Sequence, residues 1–519
     1  MLDATPLLRL YAKRRLATLA AENPVDTQQK QLLKLVRHAQ STRFGREHGF
    51  AAIRTIAEFQ QRVPLRRYED FWTGYWQAAY PVVENVTWPG RIPYWANSSG
   101  TTSGATKHIP VSHQMVSANR RAAIELLVHH IANRPESRVL GGLNFMLGGS
   151  MALSRVAPGV AAGDLSGIAA AEVPWWARRR YFPPPELALI ADWEEKVAQL
   201  SARSLTEDIR TVGGTPSWLL LFFQKLNDLK PEGTGRLVEY YPRLELLVHG
   251  GVNFAPYRRQ FEALLESSRA EMREVYPASE GFVAIADCGP GEGLRLLLDN
   301  GLFFEFVPVN ELHAAEPTRH WIADVETGVD YAVIVTSCAG LWAYVLGDTV
   351  RFVDRAPPRV LVTGRTSYGL SAFGEHLIGE EIEQAVAAAA ADIDASVTDF
   401  SVGPVHPAHP DTAGFHRYVV EFSSAVEQRA LSRFAQRLDE ELTRLNLDYA
   451  EHRRGDFGMR APEVLAVSSG TFAGWMKSRG KLGGQNKVPR VILDTDLFAS
   501  LVGAAEPMAK AGGHGGPPH

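Results

Sequence analysis

Cysteine is scarce in this chain: Cys288 and Cys338 are the two cysteines among 519 residues. Two cysteines are too few for a disulfide framework. Neither stands in a Cys-x-x-Cys pair or in a Cys/His cluster of the kind that binds zinc. We therefore expect a reducing, cytoplasmic location and no disulfide scaffold.

Long apolar runs and a surplus of positive charge are also missing. No apolar stretch approaches the roughly 20 residues that span a bilayer. The formal net charge is −4, whereas dedicated nucleic-acid binders are usually basic. The sequence therefore predicts no integral membrane segment and no nucleic-acid partner. The basic N-terminus contains Asp3 and Glu22 and no small-residue cleavage site, so we interpret it as a first helix and not as a transit peptide.

The composition is that of a globular protein, with 45% hydrophobic and 22% charged residues. A chain of this length is expected to form two or three domains. Residues 116–132 have the pattern of a long helix. Apolar, strand-like runs alternate with helical segments such as residues 257–269, which predicts an α/β fold with layered sheets; these runs are residues 244–248, 274–276, 303–307 and 331–336.

The pattern of elements restarts after residue 365. Helical, strand-like and helical segments follow at residues 380–391, 418–422 and 430–445. We therefore predict a large, multi-sheet N-terminal domain of residues 1–365 and a smaller α+β C-terminal domain of residues 366–503. The Gly/Pro/His-rich tail, residues 504–519, has no core-forming residues and is expected to be disordered.

The most informative segment is a run of small and hydroxylated residues followed by a lysine. The run consists of Ser98, Ser99, Gly100, Thr101, Thr102, Ser103 and Gly104, and the lysine is Lys107. Glycines let a backbone approach a polyphosphate, hydroxyls donate to its oxygens, and the lysine adds a positive charge. The spacing is neither that of a Walker A loop nor that of a dinucleotide fingerprint. The alternative is a flexible linker, which the adjoining Tyr94-Trp95 pair disfavours.

Three later segments carry further candidate ligands for a nucleotide and a metal ion. Glu280 stands at a strand-to-loop junction, where a carboxylate can hold Mg²⁺, and Tyr276 offers an aromatic face. Asp348 follows a glycine and can accept from ribose hydroxyls. The Gly250-Gly251 pair follows a buried strand. Each segment also has a plain reading as a turn, and these readings stay open.

A basic, aromatic cluster lies at residues 173–185, with Trp175, Trp176 and three consecutive arginines. Such a cluster can lie on a membrane surface. We favour the alternative, a packed helix end with solvated arginines.

The chain resembles the Gretchen Hagen family of acyl acid–amido synthetases, within the adenylate-forming superfamily. The resemblance is carried by several motifs in the expected order, over roughly residues 63–490. They are VPLRRYEDF at residues 63–71, the Ser/Gly run with KHIPVS, YPASEG at 276–281, YVLGDTVR at 344–351, GRTS at 364–367 and GGQNKVPR at 483–490. Ser367 replaces the acidic residue that the superfamily has at the hinge.

The resemblance implies a role for each candidate residue. The Ser/Gly run and Lys107 would bind the phosphates of ATP, and Gly250, Gly251 and Tyr276 would contact adenine. Glu280 would bind Mg²⁺ and Asp348 the ribose. Arg365 would reach the phosphate or ribose. Lys487 would bridge the substrate carboxylate and the α-phosphate; a solvated basic strip of Lys477, Lys481 and Lys487 is the alternative.

The implied activity is an ATP- and Mg²⁺-dependent ligase. It would adenylate a small carboxylic acid and transfer the acyl group to an amine, an amino acid above all. Two alternatives stay open at this point. One is an acyl-CoA ligase with the same first half-reaction, and the other is a non-catalytic nucleotide-binding or membrane-associated scaffold.

Overall fold

The structure is a computed structural model. It describes residues 2–99, 106–148, 152–175, 177–190, 193–251, 254, 257–289, 291–312, 314–366, 369–370, 372–373, 375, 377–406, 413–453, 459–482 and 487–505. Two compact units are present. The first unit is Met1–Val252 with Leu265–Val362, and the second unit is Asn253–Leu264 with Thr363–His519.

Helices occur in both units. In chain order they are α1 Thr5–Ala20, α2 Pro24–Ala39, α3 Arg43–Glu47, α4 Ile56–Arg62, α5 Tyr68–Phe71, α6 His113–Asn133, α7 Leu165–Ala171, α8 Pro185–Ala188, α9 Trp193–Ser204, α10 Pro216–Leu229, α11 Leu237–Tyr240, α12 Arg258–Leu264, α13 Gly379–Asp392, α14 Gln428–Leu445, α15 Leu447–Arg453, α16 Thr471–Ser478 and α17 Thr495–Ala505.

Strands alternate with these helices, as the sequence predicts for an α/β fold. They are β1 Tyr94–Ser99, β2 Thr106–Val111, β3 Leu143–Leu147, β4 Ser154–Ala157, β5 Val160–Gly163, β6 Tyr181–Phe182, β7 Ile209–Gly214, β8 Leu246–Gly250, β9 Glu271–Ala278, β10 Gly281–Ile285, β11 Leu294–Leu296, β12 Leu302–Pro308, β13 Asp330–Ser337, β14 Tyr344–Arg355, β15 Pro358–Arg365, β16 Gly369–Leu370, β17 Leu377–Ile378, β18 Val397–Val405, β19 Phe415–Phe422 and β20 Glu463–Val467.

A large mixed sheet organises the first unit. Its strand order is β12-β13-β14-β15-β11-β10-β9-β8-β7-β3-β6. The neighbouring strands β9, β8, β7, β3 and β6 run parallel to one another, whereas β12, β13 and β14 pair antiparallel. A second sheet of four strands, β2-β1-β5-β4, carries the Ser/Gly hairpin. Sequence-distant motifs on β9 and β14 therefore belong to one sheet.

The helices of the first unit begin where the sequence supplies caps. Ser112 accepts from the amide of Met115 at 3.0 Å and starts α6. Asn23 accepts from the amide of Asp26 at 3.1 Å and, with Pro24 in the first turn, starts α2. Each side chain satisfies an amide that the first turn of a helix leaves without a partner. The long helix predicted at residues 116–132 is confirmed as α6.

The second unit is built on a three-stranded sheet, β18-β19-β20. Side chains alternate across β19, so that Tyr418 and Val420 pack with α13 and α14 while Val419 packs with α16 and α17. The predicted segments at residues 380–391, 418–422 and 430–445 are confirmed as α13, β19 and α14.

The predicted division of the chain differs from the structure at α12, at the end of the N-terminal domain and at the start of the tail. The predicted N-terminal domain, residues 1–365, contains α12, which belongs to the second unit, and its end lies three residues beyond Val362. The helix expected at residues 257–269 is shorter, Arg258–Leu264. At the C-terminus, α17 includes Ala504 and Ala505, and the rest of the predicted tail lies outside the described residues. No helix in the described part of the chain is long and apolar enough to cross a bilayer.

Candidate active site

The Ser/Gly run begins in a β-hairpin of the first unit. Strands β1 and β2 pair antiparallel, with Ser98 opposite Lys107 and Ser99 opposite Thr106. This register brings Ser98 and Lys107 side by side at the end of the hairpin. The remaining predicted phosphate ligands, Gly100, Thr101, Thr102, Ser103 and Gly104, lie outside the described residues.

Lys107 lies over an aromatic ring from the VPLRRYEDF segment. Its Nζ is 5.3 Å from the centre of the Tyr68 ring. The Tyr68 hydroxyl oxygen accepts a hydrogen bond from the His108 amide at 3.0 Å. Burial raises the pKa of the Tyr68 phenol, so the ring stays neutral and its face attracts the ammonium group. Tyr68 thus contacts both the charged end of Lys107 and the backbone of the next residue, His108.

The segment that carries Tyr68 is itself joined to β14. The Arg66 amide donates to the Ala343 carbonyl at 3.0 Å, and the Val345 amide donates to the Arg66 carbonyl at 2.8 Å. From the other side, Arg319 donates to the Val63 carbonyl at 2.6 Å. These bonds hold the segment between the hairpin and the large sheet.

Tyr276 and Asp348, predicted separately as adenine and ribose ligands, contact each other. The Tyr276 hydroxyl donates to the Asp348 Oδ2 at 2.7 Å, and both side chains are buried. Strands β9 and β14 place the pair, which lies 72 positions apart in the sequence. The contact fixes one carboxylate oxygen of Asp348, the kind of group that accepts from ribose hydroxyls.

Glu280, the predicted metal ligand, lies in the turn between β9 and β10 and is half-buried. The hydroxyl of Tyr344, at the start of β14, donates to it. Burial, together with the negative charge of Glu280, raises the pKa of Tyr344 well above its usual value. Tyr344 therefore remains a neutral donor and orients the carboxylate. Within the described residues there is no cluster of three His, Cys, Asp or Glu side chains that would bind a metal by itself.

Gly250 and Gly251 end strand β8 beside the strand of Tyr276. Gly250 pairs with Val275, the neighbour of Tyr276. A Cβ atom on Gly250 would lie 2.2 Å from the Val275 carbonyl oxygen, and Gly251 has φ of +87°. Both positions therefore require glycine, which leaves backbone exposed at this strand end.

The other two predicted catalytic residues, Arg365 and Lys487, belong to the second unit. Arg365 ends β15, directly after Gly364 with φ of +148°. Lys487 is exposed, and residues 483–486 before it lie outside the described residues. The structure thus brings Ser98, Lys107, Tyr276, Glu280 and Asp348 together in one unit and assigns Arg365 and Lys487 to the other.

A buried arginine that the sequence did not single out lies three residues after Lys487. Arg490 donates to the Asp399 carboxylate, to the Phe400 carbonyl at 2.8 Å and to the Tyr257 hydroxyl at 2.6 Å. Burial opposes its charge, but Tyr257, Asp399 and Glu383 hold the pKa of Arg490 above its usual value. The sequence signal for Arg490 is its position in the GGQNKVPR motif. Tyr68 and Tyr344 are likewise marked by their positions in the VPLRRYEDF and YVLGDTVR motifs.

Three family models match the chain and together cover more than half of it. They describe the N-terminal domain of the GH3 family at residues 14–148, its central domain at 295–365 and its C-terminal domain at 380–496.

Among curated proteins, two similar sequences are plant enzymes. The indole-3-acetic acid-amido synthetase GH3.8 of Oryza sativa subsp. indica is 27% identical over 281 residues, 50% of this chain and 42% of that protein. GH3.3 of Arabidopsis thaliana, of the same description, is 26% identical over 290 residues, 52% of this chain and 44% of that protein. The matched part thus spans less than half the length of these relatives.

Solved structures with the same fold extend the likeness to nearly the whole chain. The AtGH3.15 acyl acid amido synthetase in complex with 2,4-DB has a TM-score of 0.80 at 18% identity, covering 95% of this chain and 96% of that one. A 2-hydroxyisobutyryl-CoA ligase has a TM-score of 0.59 at 16% identity, covering 92% and 91%. The predicted fold class and family resemblance are confirmed, and the chain belongs to the GH3 family.

Proposed function

We propose that the protein is an ATP-dependent ligase that activates a small carboxylic acid as an acyl adenylate and transfers the acyl group to an amine, an amino acid above all. The observation that supports this most is the set of contacts in the first unit. Lys107 lies over Tyr68, Glu280 accepts from Tyr344 and Asp348 accepts from Tyr276, so a tyrosine contacts each residue that we propose as a phosphate, metal or ribose ligand. The membership in the GH3 family supports the same activity.

The proposed reaction has two steps. In the first, a carboxylate oxygen of the acid attacks the α-phosphorus of ATP, and the bond from that phosphorus to the leaving pyrophosphate oxygen breaks. In the second, the amine nitrogen attacks the acyl carbon of the mixed anhydride. The amide bond forms, the amine loses a proton, and AMP leaves with the electron pair of the broken C–O bond. Holding the amine nitrogen close to the face of the acyl carbonyl supplies most of what the second step needs.

Mg²⁺ suits the residues present. It is bound in nucleotide sites by one or two carboxylates together with substrate phosphates, and Glu280 supplies one oriented carboxylate. The ion would neutralise phosphate charge when bound. Lys107 adds a further positive charge on the phosphate side.

Lys487 is the residue we assign to the first step. An exposed lysine on the second unit can place a positive charge at the phosphorus where negative charge develops. Arg365, on the same unit, is proposed to bind the phosphate or ribose of the nucleotide.

Acid-dependent exchange of labelled pyrophosphate into ATP tests the first step. The panel begins with indole-3-acetic acid, because similar plant proteins carry that name, and continues through aromatic and aliphatic acids. Hydroxylamine then replaces the unknown amine, and hydroxamate formation reports the acyl donor. Exchange with any acid supports the proposal; its absence across the panel, with ATP binding demonstrated, contradicts it.

The acceptor is tested separately. The shared fold with a CoA ligase leaves the second step to be decided by experiment. Once the acid is known, twenty amino acids and CoA are compared at equal concentration. Amide formation supports the amido synthetase assignment, and a thioester in its place would make the protein an acyl-CoA ligase.

A further inference from the structure

Helix α1 is apolar on two faces but is covered on one. Leu8, Ala12 and Leu19 point into the core of the first unit, where Leu8 and Ala12 pack in the same cluster as Leu126 of α6. A surface helix normally turns one apolar stripe to the core and keeps the opposite face polar. We therefore expect the second apolar face of α1 to bind another molecular surface.

That second face is formed by residues at helical spacing. Leu7, Leu10, Tyr11 and Arg14 lie at positions i, i+3, i+4 and i+7, which share one side of a helix. Leu7 is 73% exposed, Leu10 57% and Tyr11 46%, and Leu2 just before the helix is 88% exposed. Exposed apolar groups that adjoin one another in this way mark interaction sites in proteins.

The basic aromatic cluster adjoins the start of α1. Arg180 donates to the carbonyl oxygens of Leu2 and Leu140, both at 2.7 Å. The Ala4 amide donates to the same Leu140 carbonyl at 3.3 Å. Trp175, five residues before Arg180, is 81% exposed. The packed helix end favoured from the sequence is therefore wrong at Trp175, whose ring faces solvent.

We call the two segments together the N-terminal patch. It comprises Leu2, Leu7, Leu10, Tyr11, Lys13, Arg14, Trp175, Arg178, Arg179 and Tyr181. It contains six of the 13 large apolar side chains that are exposed in the described part of the chain. Chance scatter of surface hydrophobic residues would not concentrate them on two adjoining segments.

The charges of the N-terminal patch are of one sign. Lys13, Arg14, Arg178 and Arg179 are exposed. The α1 sequence, TPLLRLYAKRRLATLA, contains no acidic residue, and neither does VPWWARRRYFP at residues 173–183. Asp3, the acid just before α1, accepts from Arg138 at 2.9 Å and from Thr5.

This charge pattern selects among the possible occupants. In a two-fold dimer the same patch meets itself, so four cations would face four cations. A bilayer with anionic headgroups instead neutralises each of them, while the leucines and the tryptophan enter the headgroup boundary. We propose that the N-terminal patch is a peripheral docking surface for an anionic membrane.

The binding test uses the full-length protein and two kinds of vesicle. One kind is phosphatidylcholine with about 30% phosphatidylserine, a charge density similar to that of anionic membrane leaflets; the other is phosphatidylcholine alone. The protein is expected to sediment with the anionic vesicles, to release as salt is raised and to stay in solution with the neutral ones. Equal binding to both, or binding to neither, overturns the proposal.

Three variants locate the contact. The double variant Leu7→Ser/Leu10→Ser, the charge reversal Lys13→Glu/Arg14→Glu and the single variant Trp175→Ser should each lower the anionic-vesicle affinity, the two double variants by about tenfold or more. Leu229→Ser is the matched control, because Leu229 is 44% exposed on the same unit and outside the patch. Unchanged affinity in the two double variants overturns the assignment.

Two further readouts separate the patch from its alternatives. Light scattering detects self-association. If the parent protein is a dimer and Leu7→Ser/Leu10→Ser is a monomer, the patch binds a second copy of the chain, and the membrane proposal is wrong. Pyrophosphate exchange without vesicles should be the same in all four variants and the parent. A loss of exchange in the patch variants alone would assign these residues to the reaction and overturn the docking role.

Discussion

The two units differ in the surroundings of their candidate site residues. In the first unit, Lys107, Glu280 and Asp348 are each held by a tyrosine that belongs to another segment of the chain. In the second unit, the Lys487 side chain is exposed, and Arg490, three residues further on, is buried. The first unit thus carries candidate ligands that tyrosines contact, whereas the second carries an exposed Lys487 three residues before a buried arginine. Four substitutions test this difference, in order of expected effect.

Arg490→Met should destabilise the second unit the most. Removing one partner of a buried ion pair costs about 3–5 kcal/mol, because the other charge is left buried; here Asp399 would remain, and burial already raises its pKa. Hydrogen exchange of the β18 amides is the measurement, since it reports local opening. Arg433→Met, which breaks an exposed ion pair with Asp392 in the same unit, is the control. Equal exchange in both variants would mean that Arg490 is no anchor.

Lys487→Ala should reduce adenylation by about 10²–10³-fold, the usual effect of losing one donor at a developing charge. ATP affinity should change little, because the proposed nucleotide ligands other than Arg365 lie on the first unit. Pyrophosphate exchange and ATP binding are measured in parallel, with Lys481→Ala as the control for a general basic strip. If both lysine variants behave alike, the assignment of Lys487 fails.

A second measurement on Lys487→Ala separates the half-reactions. Preformed acyl adenylate is supplied, and amide formation is followed directly. We expect near-parent rates, because the phosphorus chemistry is already complete. An equal loss in this step would give the lysine a shared or structural role.

Glu280→Gln should shift the magnesium requirement. A neutral amide is a weaker ligand than a carboxylate for a hard dication, so activity should need about tenfold more Mg²⁺, or collapse. Titration of exchange activity against Mg²⁺ measures the shift. Glu316→Gln, an exposed carboxylate of the first unit, is the control. Superimposable titration curves for parent and Glu280→Gln would remove Glu280 from the metal site.

Tyr276→Phe is the mildest of the four. It deletes the hydroxyl that donates to Asp348, a bond to a charged group worth about 1.5 kcal/mol, and should weaken ATP binding about tenfold. Tyr241→Phe removes a similar buried hydroxyl, 2.7 Å from Ser204, and controls for general loss of packing. Calorimetric titration with ATP compares them; equal affinity in all three proteins would show that Tyr276 does not support the ribose ligand.

Local patterns in the sequence predicted the elements and the motif residues well. The helix at α6 and the strands at β8, β9, β12 and β13 follow from apolar periodicity and flanking turns. The family motifs located Tyr276, Glu280 and Asp348, although the roles assigned to these residues stay predictions. Such features depend on neighbours within a few positions, which a single sequence displays.

Partners across long separations were not predictable. Tyr257 and Arg490 lie 233 positions apart, and no periodicity or spacing relates them. The same holds for Tyr344 with Glu280 and for Tyr68 with Lys107. Helix α12 belongs to the unit that covers its apolar side. In the structure this is the second unit, where the Gln260 side chain donates to the Val397 carbonyl at 3.0 Å. A single sequence does not show which surface covers a helix.

The chain passes between the two units three times, after Val252, Leu264 and Val362. The second unit is therefore discontinuous in sequence, and a protease cut after Val362 alone leaves its α12 portion covalently attached to the first unit. A fragment that begins at residue 363 lacks Tyr257, so its buried Arg490 loses one hydrogen-bond partner. Dissection of this protein into separately expressed halves must carry residues 253–264 over to the C-terminal half, for example by a short linker to residue 363.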